Sequence, residues 1–135
     1  TAKDPLNHAA LVGINILNSD FKQVKVSDVR SLVEKGAFVM DVREKDEYEL
    51  GHIINSKNIP MSEFRNRLDE IPKDQPVYVH CRSGQRSYNV VRALGHLGFE
   101  QVYNISGSFI GVSYYEYYMD QQFKRKSIVS QYNFD

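Results

Sequence analysis

The chain has 135 residues, and its 17 basic and 17 acidic side chains give it a formal net charge of zero. This balance lacks the excess of basic residues that marks binding to nucleic acid, and no apolar run approaches the roughly 20 residues that span a bilayer. We therefore expect one domain of ordinary size that binds neither nucleic acid nor membrane. A single cysteine cannot form an internal disulfide, which predicts a reducing, cytoplasmic location.

The first 20 residues predict a linker helix that begins near Asp4-Pro5 and ends near residue 18. Apolar residues recur along it at helical spacing: Leu6, Ala9, Ala10, Gly13, Ile14 and Leu17. This stripe fits two arrangements equally well. The helix either packs on the surface of its own domain or turns its apolar face to a neighbouring domain.

Extended and helical patterns alternate from residue 21 onward. Residues 21–26 look extended, and Ser27 is a candidate N-cap for a short helix that ends at Gly36. Residues 37–42 form a continuous apolar run closed by an acid, which is typical of a central strand in a parallel sheet.

A short charged helix over residues 44–50 and a short strand over residues 58–60 follow. Ser62 is then a candidate N-cap for a further helix. The apolar positions of that helix have helical spacing: Phe64, Leu68 and Ile71.

The next part of the chain contains strand, loop, helix and strand in that order. Residues 77–80 predict a strand, residues 88–97 predict a helix that stops at Gly98, and residues 102–104 predict the following strand. Alternation of this kind predicts an α/β domain with a parallel central sheet, which we place at residues 21–112.

Residues 113–135 form an aromatic C-terminal tail that we expect to be helical in part. Its tyrosines at residues 114–118 fit packing or an interface better than a cofactor site.

The most informative stretch is residues 80–87, between the predicted strand and the helix after it. Cys81 opens this loop, and main-chain N–H groups that turn inward before a helix N-terminus form a ready anion site. A thiol held there ionises more easily because those donors favour the thiolate. Two arginines, a serine and a permissive glycine in the same residues strengthen this interpretation. We therefore predict that Cys81 is a nucleophile.

The spacing after Cys81 bears on three chemistries: phosphoester cleavage, sulfur transfer, and arsenate or peroxide reduction. Cysteine phosphatases place five residues between the nucleophile and the arginine that clamps phosphate. Only four separate Cys81 from Arg86, and Ser87 occupies the phosphatase arginine position. The shorter loop suits one extra sulfur atom better than a phosphate, and it loses the bidentate geometry by which arginine binds phosphoryl groups. Phosphatase activity is therefore disfavoured.

Residues 81–87, Cys-Arg-Ser-Gly-Gln-Arg-Ser, resemble the active-site loop of the rhodanese-type sulfurtransferases, whose common pattern is Cys-x-x-Gly-x-Arg-Ser. Other segments resemble the same family in order and spacing: Asp41-Val42-Arg43, Glu47 through Gly51-His52-Ile53, Asn58-Ile59-Pro60, Leu97-Gly98-Phe99 and residues 102–107. The similarity covers residues 26–111. One departure is Ser108, since the family usually has a second glycine after Gly107. We expect this departure to alter the shape of the pocket rather than the chemistry.

The resemblance implies a rhodanese-like fold, with a parallel central sheet and helices on both faces, and an enzyme that works through a persulfide of Cys81. The thiolate takes the outer sulfur of thiosulfate, a persulfide or a polysulfide, and an acceptor such as a thiol or cyanide then removes it. Substrate binding is assigned by resemblance to the rest of the loop: Arg82, Ser83, Gly84, Gln85, Arg86 and Ser87. Either arginine could attract an anionic donor, and the other could tie the loop to a carboxylate such as Asp41.

The remaining polar candidates are given structural roles or none. Asp41 and Arg43 are expected to form a structural ion pair near the pocket. His80 precedes the nucleophile on a strand and is expected to face the opposite side, and His52 is expected to be a hydrogen-bonded core residue. No histidine has metal-ligand spacing with an acid or with the cysteine, so no metal site is predicted.

Residues 2–18, which begin Ala-Lys-Asp-Pro-Leu-Asn, resemble the last stretch of FAD-dependent reductases of the coenzyme A-disulfide reductase type, some of which carry a rhodanese domain at the C-terminus. The resemblance implies that such a domain precedes Thr1, with FAD, NADH and coenzyme A bound there and no cofactor in this chain, which lacks a dinucleotide fingerprint. Its partners would be a small sulfur substrate and the reductase domain or a second copy of the chain. The alternative function is a non-catalytic, regulatory or docking module of that larger flavoprotein.

Overall fold

A computed structural model describes residues 22–134. They form an α/β domain on five parallel strands in the order β1-β5-β4-β2-β3. The strands are β1 (Gln23–Val24), β2 (Phe38–Asp41), β3 (Lys57–Asn58), β4 (Val77–His80) and β5 (Val102–Ile105). The four α-helices of this part of the chain are α1 (Val26–Glu34), α2 (Lys45–Leu50), α3 (Gln85–His96) and α4 (Ser108–Phe123). The predicted α/β class is confirmed, and the helix predicted within residues 1–20 lies outside the described range.

Two hydrophobic cores form on the two faces of the sheet, since side chains alternate along each strand. Met40 and Val79 point into the first core, whereas Val39 and Tyr78 point into the second. The first core is completed by the segment before β4, by α3 and by the turn after α3: Ile59, Phe64, Ile71, Val90, Val91, Leu94 and Phe99. The second is completed by α1, α4 and the C-terminal segment: Val29, Ile53, Phe109, Val112, Ile128 and Val129. Helices therefore cover both faces of the sheet, as predicted.

The helix predicted after Ser62 is wrong. Two short 3-10 turns occupy this segment instead, at Phe64–Asn66 and Leu68–Glu70. A 3-10 turn rises about 2 Å per residue against about 1.5 Å in an α-helix, so the same residues reach farther. Phe64 and Ile71 are both buried in the first core, and the extended path places them there without a continuous helix.

Smaller differences concern helix ends. Ser27 lies inside α1, whose N-cap is Lys25, with the Lys25 N–H donating to the Asp28 carboxylate at 3.2 Å. α3 begins at Gln85, three residues before the predicted start, which shortens the cysteine loop. Gly36 and Gly98 have φ angles of 76° and 94° and follow the helices that they were predicted to end.

The C-terminal segment is integral to the second core. α4 runs without interruption across the predicted boundary at residues 112 and 113, and the domain limits themselves stay a prediction. Beyond α4, Val129 forms an antiparallel bridge with Ile53. No helix among residues 22–134 has the length and apolar character needed to cross a membrane.

A buried acidic pair on α4 joins that helix to α1 and to the C-terminal segment. Arg30 donates to Glu116 at 2.8 Å and to Asp120 at 2.9 Å, and Arg125 donates to the same two carboxylates at 3.0 and 3.2 Å. The Tyr132 hydroxyl donates to Asp120 at 2.6 Å. Glu116 is fully buried, so its charge depends on these arginines.

The Arg30→Ala variant should lower the free energy of unfolding by about 3 kcal/mol, because it leaves a buried carboxylate with one cation fewer. Urea denaturation at neutral pH measures the change. Lys45→Ala is the matched control: Lys45 and Glu49 are exposed and 4.0 Å apart, so removing Lys45 should change the free energy by less than about 1 kcal/mol. Equal effects of the two substitutions would contradict the assignment.

Candidate active site

The cysteine loop lies at the carboxyl end of β4, where parallel α/β sheets place their ligands. Cys81 follows the strand directly, and α3 begins only four residues later at Gln85. Gly84 is the N-cap of α3 and has a φ angle of 125°, a conformation that side-chain-bearing residues rarely adopt. This turn brings the loop back over the sulfur.

The Cys81 sulfur receives hydrogen-bond donors from the loop. The main-chain N–H of Gly84 donates to Sγ at 3.1 Å, and the Ser87 hydroxyl oxygen lies 3.5 Å from Sγ. Burial by itself raises the pKa of the Cys81 thiol, but hydrogen bonds from the Ser87 hydroxyl and from the N–H groups of Ser87, Gly84 and Ser83 outweigh burial and lower it. The loop therefore favours a thiolate.

The two loop arginines have different environments. Arg86 forms a bidentate ion pair with Glu47 on α2, with Nη1–Oε1 and Nη2–Oε2 distances of 2.7 and 3.0 Å. Arg82 has an exposed side chain, and no ion pair within residues 22–134 involves it. The loop is thus tied to a carboxylate as expected, but that carboxylate is Glu47 and not Asp41. Arg82 is the cation left to face solvent.

Asp41 is paired with Arg43 instead. Both side chains are buried, and Arg43 Nη2 donates to Asp41 Oδ2 and to the Gly51 carbonyl, each at 2.7 Å. The Arg43 guanidinium lies 4.3 Å from the centre of the Phe109 ring. This geometry joins the end of β2 to the end of α2 and to the start of α4.

His80 lies on the other side of the sheet from the sulfur, stacked on Phe109 with ring centres 5.9 Å apart. Its Nδ1 lies 3.0 Å from the Cys81 carbonyl oxygen, and its Nε2 lies 3.7 Å from Asp41 Oδ2. Burial lowers the pKa of His80, against the opposing effect of the Asp41 carboxylate, so the ring is neutral at neutral pH. His80 cannot reach Sγ as a base from this position.

A family model described as "Rhodanese-like domain" matches residues 25–113. The chain belongs to the rhodanese-like domain family. Over 90 residues it is 34% identical to the thiosulfate sulfurtransferase GlpE of Coxiella burnetii, covering 66% of this chain and 84% of that protein. Over 73 residues it is 41% identical to the uncharacterized protein YqhL of Bacillus subtilis, covering 54% of this chain and 58% of that protein.

Two solved structures similar to this rhodanese-like domain are parts of longer chains. Reduced Bacillus anthracis CoADR-RHD has 36% identity and a TM-score of 0.70, over 78% of this chain and 19% of that one. The NAD-dependent persulfide reductase from A. fulgidus has 34% identity and a TM-score of 0.62, over 74% of this chain and 17% of that one. The domain therefore spans about a fifth of each of these two proteins.

Two residues of the site were not assigned a role from the sequence. Glu47 belongs to a segment that resembles the family, but nothing in its spacing indicated Arg86 as its partner. Ser108 stands where the rhodanese family usually has glycine, and its Oγ accepts the main-chain N–H of Cys81 at 3.2 Å. The departure from glycine is visible in the sequence, but the contact between Ser108 and Cys81 depends on the path of α4 and could not be predicted from the sequence.

His52 is hydrogen-bonded as predicted, but it is only partly buried and does not belong to the core. His52 stacks on Tyr48 with ring centres 4.0 Å apart, and its Nδ1 lies 2.9 Å from the Tyr48 carbonyl oxygen. Within residues 22–134, no group of three or more histidine, cysteine or acidic side chains is placed to hold a metal ion. The exposed rings of Tyr114 and Tyr117 pack beside Phe134, with ring centres 4.9 and 5.3 Å away.

The ion pair between Glu47 and Arg86 should stabilise the domain in a pH-dependent way. The hydrogen bond from Arg86 lowers the pKa of Glu47 from 4.5 to about 2. The contribution is therefore fully present above pH 4.5 and is lost as the pH falls through about 2. Glu47→Gln should lower the free energy of unfolding by about 1 kcal/mol at neutral pH, and this difference should vanish near the lower pKa.

Urea denaturation at several pH values between neutral and 2 tests this pH dependence. Glu49→Gln on the same helix is the control, because Glu49 is exposed and its contact with Lys45 is long, at 4.0 Å. A difference between Glu47→Gln and the unsubstituted chain that does not change with pH would show that the ion pair is not its source.

Proposed function

We propose that this rhodanese-like domain is a sulfurtransferase that carries sulfane sulfur as a persulfide of Cys81. The observation that carries the proposal is the position of Sγ, 3.1 Å from the Gly84 N–H at the start of α3, in a loop that lowers the thiol pKa. The 34% identity to a thiosulfate sulfurtransferase over most of that protein's length supports the same activity.

The first half-reaction is a displacement at sulfur. The Cys81 thiolate attacks the outer sulfur of the donor, a bond forms between Sγ and that sulfur, and the bond to the rest of the donor breaks. With thiosulfate the leaving group is sulfite, which takes the bonding electron pair. The product is a Cys81 persulfide whose negative charge lies on the outer sulfur, where N–H groups of the loop can stabilise it.

The second half-reaction returns the enzyme to its starting state. An acceptor thiolate attacks the outer sulfur, a new S–S bond forms on the acceptor, and the bond to Sγ breaks. Sγ leaves with the electron pair as a thiolate, which the donors of the loop already favour. Neither half-reaction needs an oxidant, a reductant or a metal.

The loop charges favour an anionic donor. Glu47 neutralises Arg86, so Arg82 is the exposed cation of the loop. An exposed guanidinium attracts anions such as thiosulfate or a persulfide without holding them in a fixed geometry. The same arrangement disfavours phosphate hydrolysis. Ser87 occupies the position of the phosphate-binding arginine of phosphatases, and the adjacent Arg86 is paired with the Glu47 carboxylate.

The wider setting that we propose is a flavoprotein of the coenzyme A-disulfide reductase type. In that setting, FAD and NADH belong to a preceding reductase domain, and Cys81 exchanges sulfur with a coenzyme A-linked persulfide or a polysulfide. Similarity to CoADR-RHD and to a persulfide reductase, each over about a fifth of those chains, supports this setting.

A second candidate function is a non-catalytic module that docks on such a reductase or on a second copy of the chain. The observation in its favour is the aromatic surface of α4, where Tyr114, Tyr117 and Tyr118 are 56%, 44% and 65% exposed. Sulfur uptake separates the two functions, because a docking module has no need to accept sulfur.

Incubation with thiosulfate or a small persulfide should raise the mass of the chain by one sulfur atom, located on Cys81 by peptide mass spectrometry. Cys81→Ser should show no such adduct, because serine cannot form a persulfide. Ser106→Ala, outside the loop, serves as a handling control and should take up sulfur normally. Failure of the unsubstituted chain to gain sulfur from any sulfane donor would refute the catalytic function and favour the docking module.

Arg82→Gln should raise the KM for thiosulfate about twofold to fivefold, as expected for one exposed charge interaction. Alkylation of Cys81 by iodoacetamide, which is uncharged, should proceed at an unchanged rate, and added salt should shrink the difference in KM for thiosulfate. Lys35→Gln is the control, because Lys35 follows α1 and precedes the amino end of β2, whereas the cysteine loop follows the carboxyl end of β4. An equal effect on alkylation by uncharged iodoacetamide would show that Arg82 acts on the loop structure and not on the donor.

A further inference from the structure

Ser108 adopts a backbone conformation that is unusual for its residue type. Its φ angle is 50°, in the left-handed region, and it directly follows Gly107 with a φ angle of 90°. Glycine, which the family usually has here, adopts such angles without strain, whereas serine does so with difficulty. The side chain is also fully buried, so the serine is not explained by exposure to solvent.

The hydroxyl of Ser108 lies against the nucleophile. Its Oγ accepts the Cys81 N–H at 3.2 Å and lies 3.9 Å from Cys81 Sγ and 3.5 Å from Ser87 Oγ. Ser108 Oγ donates its own proton to the Ile105 carbonyl oxygen at 3.5 Å. The sulfur is therefore flanked by two serine hydroxyls, one on α3 and one at the start of α4, and by the Gly84 N–H of the loop.

The first turn of α4 holds the main chain on both sides of the cysteine. Besides the bond from Cys81 N–H to Ser108, the Phe109 N–H donates to the Cys81 carbonyl and the Ile110 N–H donates to the Arg82 carbonyl, each at 3.0 Å. Ser108 makes the one bond of the three that uses a side chain. A glycine at this position would leave the buried Cys81 N–H without that partner.

We propose that Ser108 is a positioning residue for Cys81: its hydroxyl fixes the cysteine main chain and, beside Ser87, turns toward Sγ as a second donor when the sulfur is charged. The Ser87 hydroxyl donates to the Gly84 carbonyl at 3.1 Å, as that of Ser108 does to the Ile105 carbonyl. Hydroxyl protons rotate to suit their partners, so each serine can shift its proton from its carbonyl to the thiolate. The inference rests on the proposed sulfurtransferase function and adds a residue to its machinery.

The position of this hydroxyl beside Sγ favours the step in which Sγ leaves as a thiolate. In the persulfide the negative charge lies on the outer sulfur, whereas Sγ carries the charge before loading and again as the leaving thiolate. When an acceptor thiolate bonds to the outer sulfur, the bond to Sγ breaks and its electron pair returns to Sγ. A hydroxyl at Sγ therefore assists discharge, since a thiol of lower pKa leaves faster.

The test uses Ser108→Ala, which keeps the Cβ but removes the hydroxyl, and Ser108→Gly, which also removes the strain. The Cys81 thiol pKa is measured from the pH dependence of iodoacetamide alkylation, and discharge is followed by mass after preloading with thiosulfate. Both variants should raise the thiol pKa by about half a unit to one unit. Both should slow discharge to a small thiol about twofold to threefold.

Ser113→Ala is the matched control. Ser113 is a buried serine on the same helix whose hydroxyl accepts the Asn133 N–H at 3.2 Å, so its loss should leave the thiol pKa and the discharge rate unchanged. Thermal unfolding gives an independent measure, in which Ser108→Gly should be at least as stable as Ser108→Ala because the left-handed backbone no longer carries a side chain.

A purely structural serine predicts that Ser108→Gly, which restores the usual family residue, has the thiol pKa and discharge rate of the unsubstituted chain. That result would overturn the proposal. The alkylation measurement needs no sulfur donor, so it tests Ser108 even if the unsubstituted chain takes up no sulfur. In that case the sulfurtransferase function fails while the contact between Ser108 and the nucleophile is still judged on its own.

Discussion

The buried ion pair between Asp41 and Arg43 is the constraint on which the rest of the site depends. A charge pair with almost no exposed surface is tolerated only when its remaining donors are satisfied, and Arg43 meets this condition by donating to the Gly51 carbonyl and covering the Phe109 ring. Those contacts fix the end of α2 and the start of α4 relative to β2. Glu47 on α2 then holds Arg86, and Ser108 at the start of α4 holds Cys81.

The resulting site separates two uses of positive charge. Arg86 has a structural role, because its bidentate pair with Glu47 anchors the first turn of α3 to α2. The sulfur is stabilised instead by uncharged donors, namely the N–H groups of the loop and the Ser87 hydroxyl. Neutral, preorganised donors can stabilise a charge that moves between two sulfur atoms without holding either tightly. Such donors suit the exchange of sulfur that we propose for Cys81.

Much of this arrangement could be predicted from the sequence because it follows from local patterns. The alternation of apolar strands and amphipathic helices predicted the fold class, and the short spacing from Cys81 to Arg86 favoured sulfur over phosphate chemistry. Local patterns failed where the path of the chain depends on distant contacts. The segment after Ser62 has helical spacing, yet the need to bury both Phe64 and Ile71 in one core favours two 3-10 turns. The partners of Arg86 and Cys81 lie 39 and 27 residues away, beyond any periodicity.

The bridge between Ile53 and Val129 affects how the domain unfolds. The family match ends at residue 113, but Ile128 and Val129 are buried in the second core, and the Gln131 carbonyl lies 2.5 Å from the place where a Cβ on Gly51 would stand. Gly51 therefore has to remain a glycine for the last segment to pass. A segment held in this way does not unfold independently, since its release exposes the core beneath it. We therefore expect the C-terminal segment to be protected from proteolysis and hydrogen exchange together with the second core that it covers.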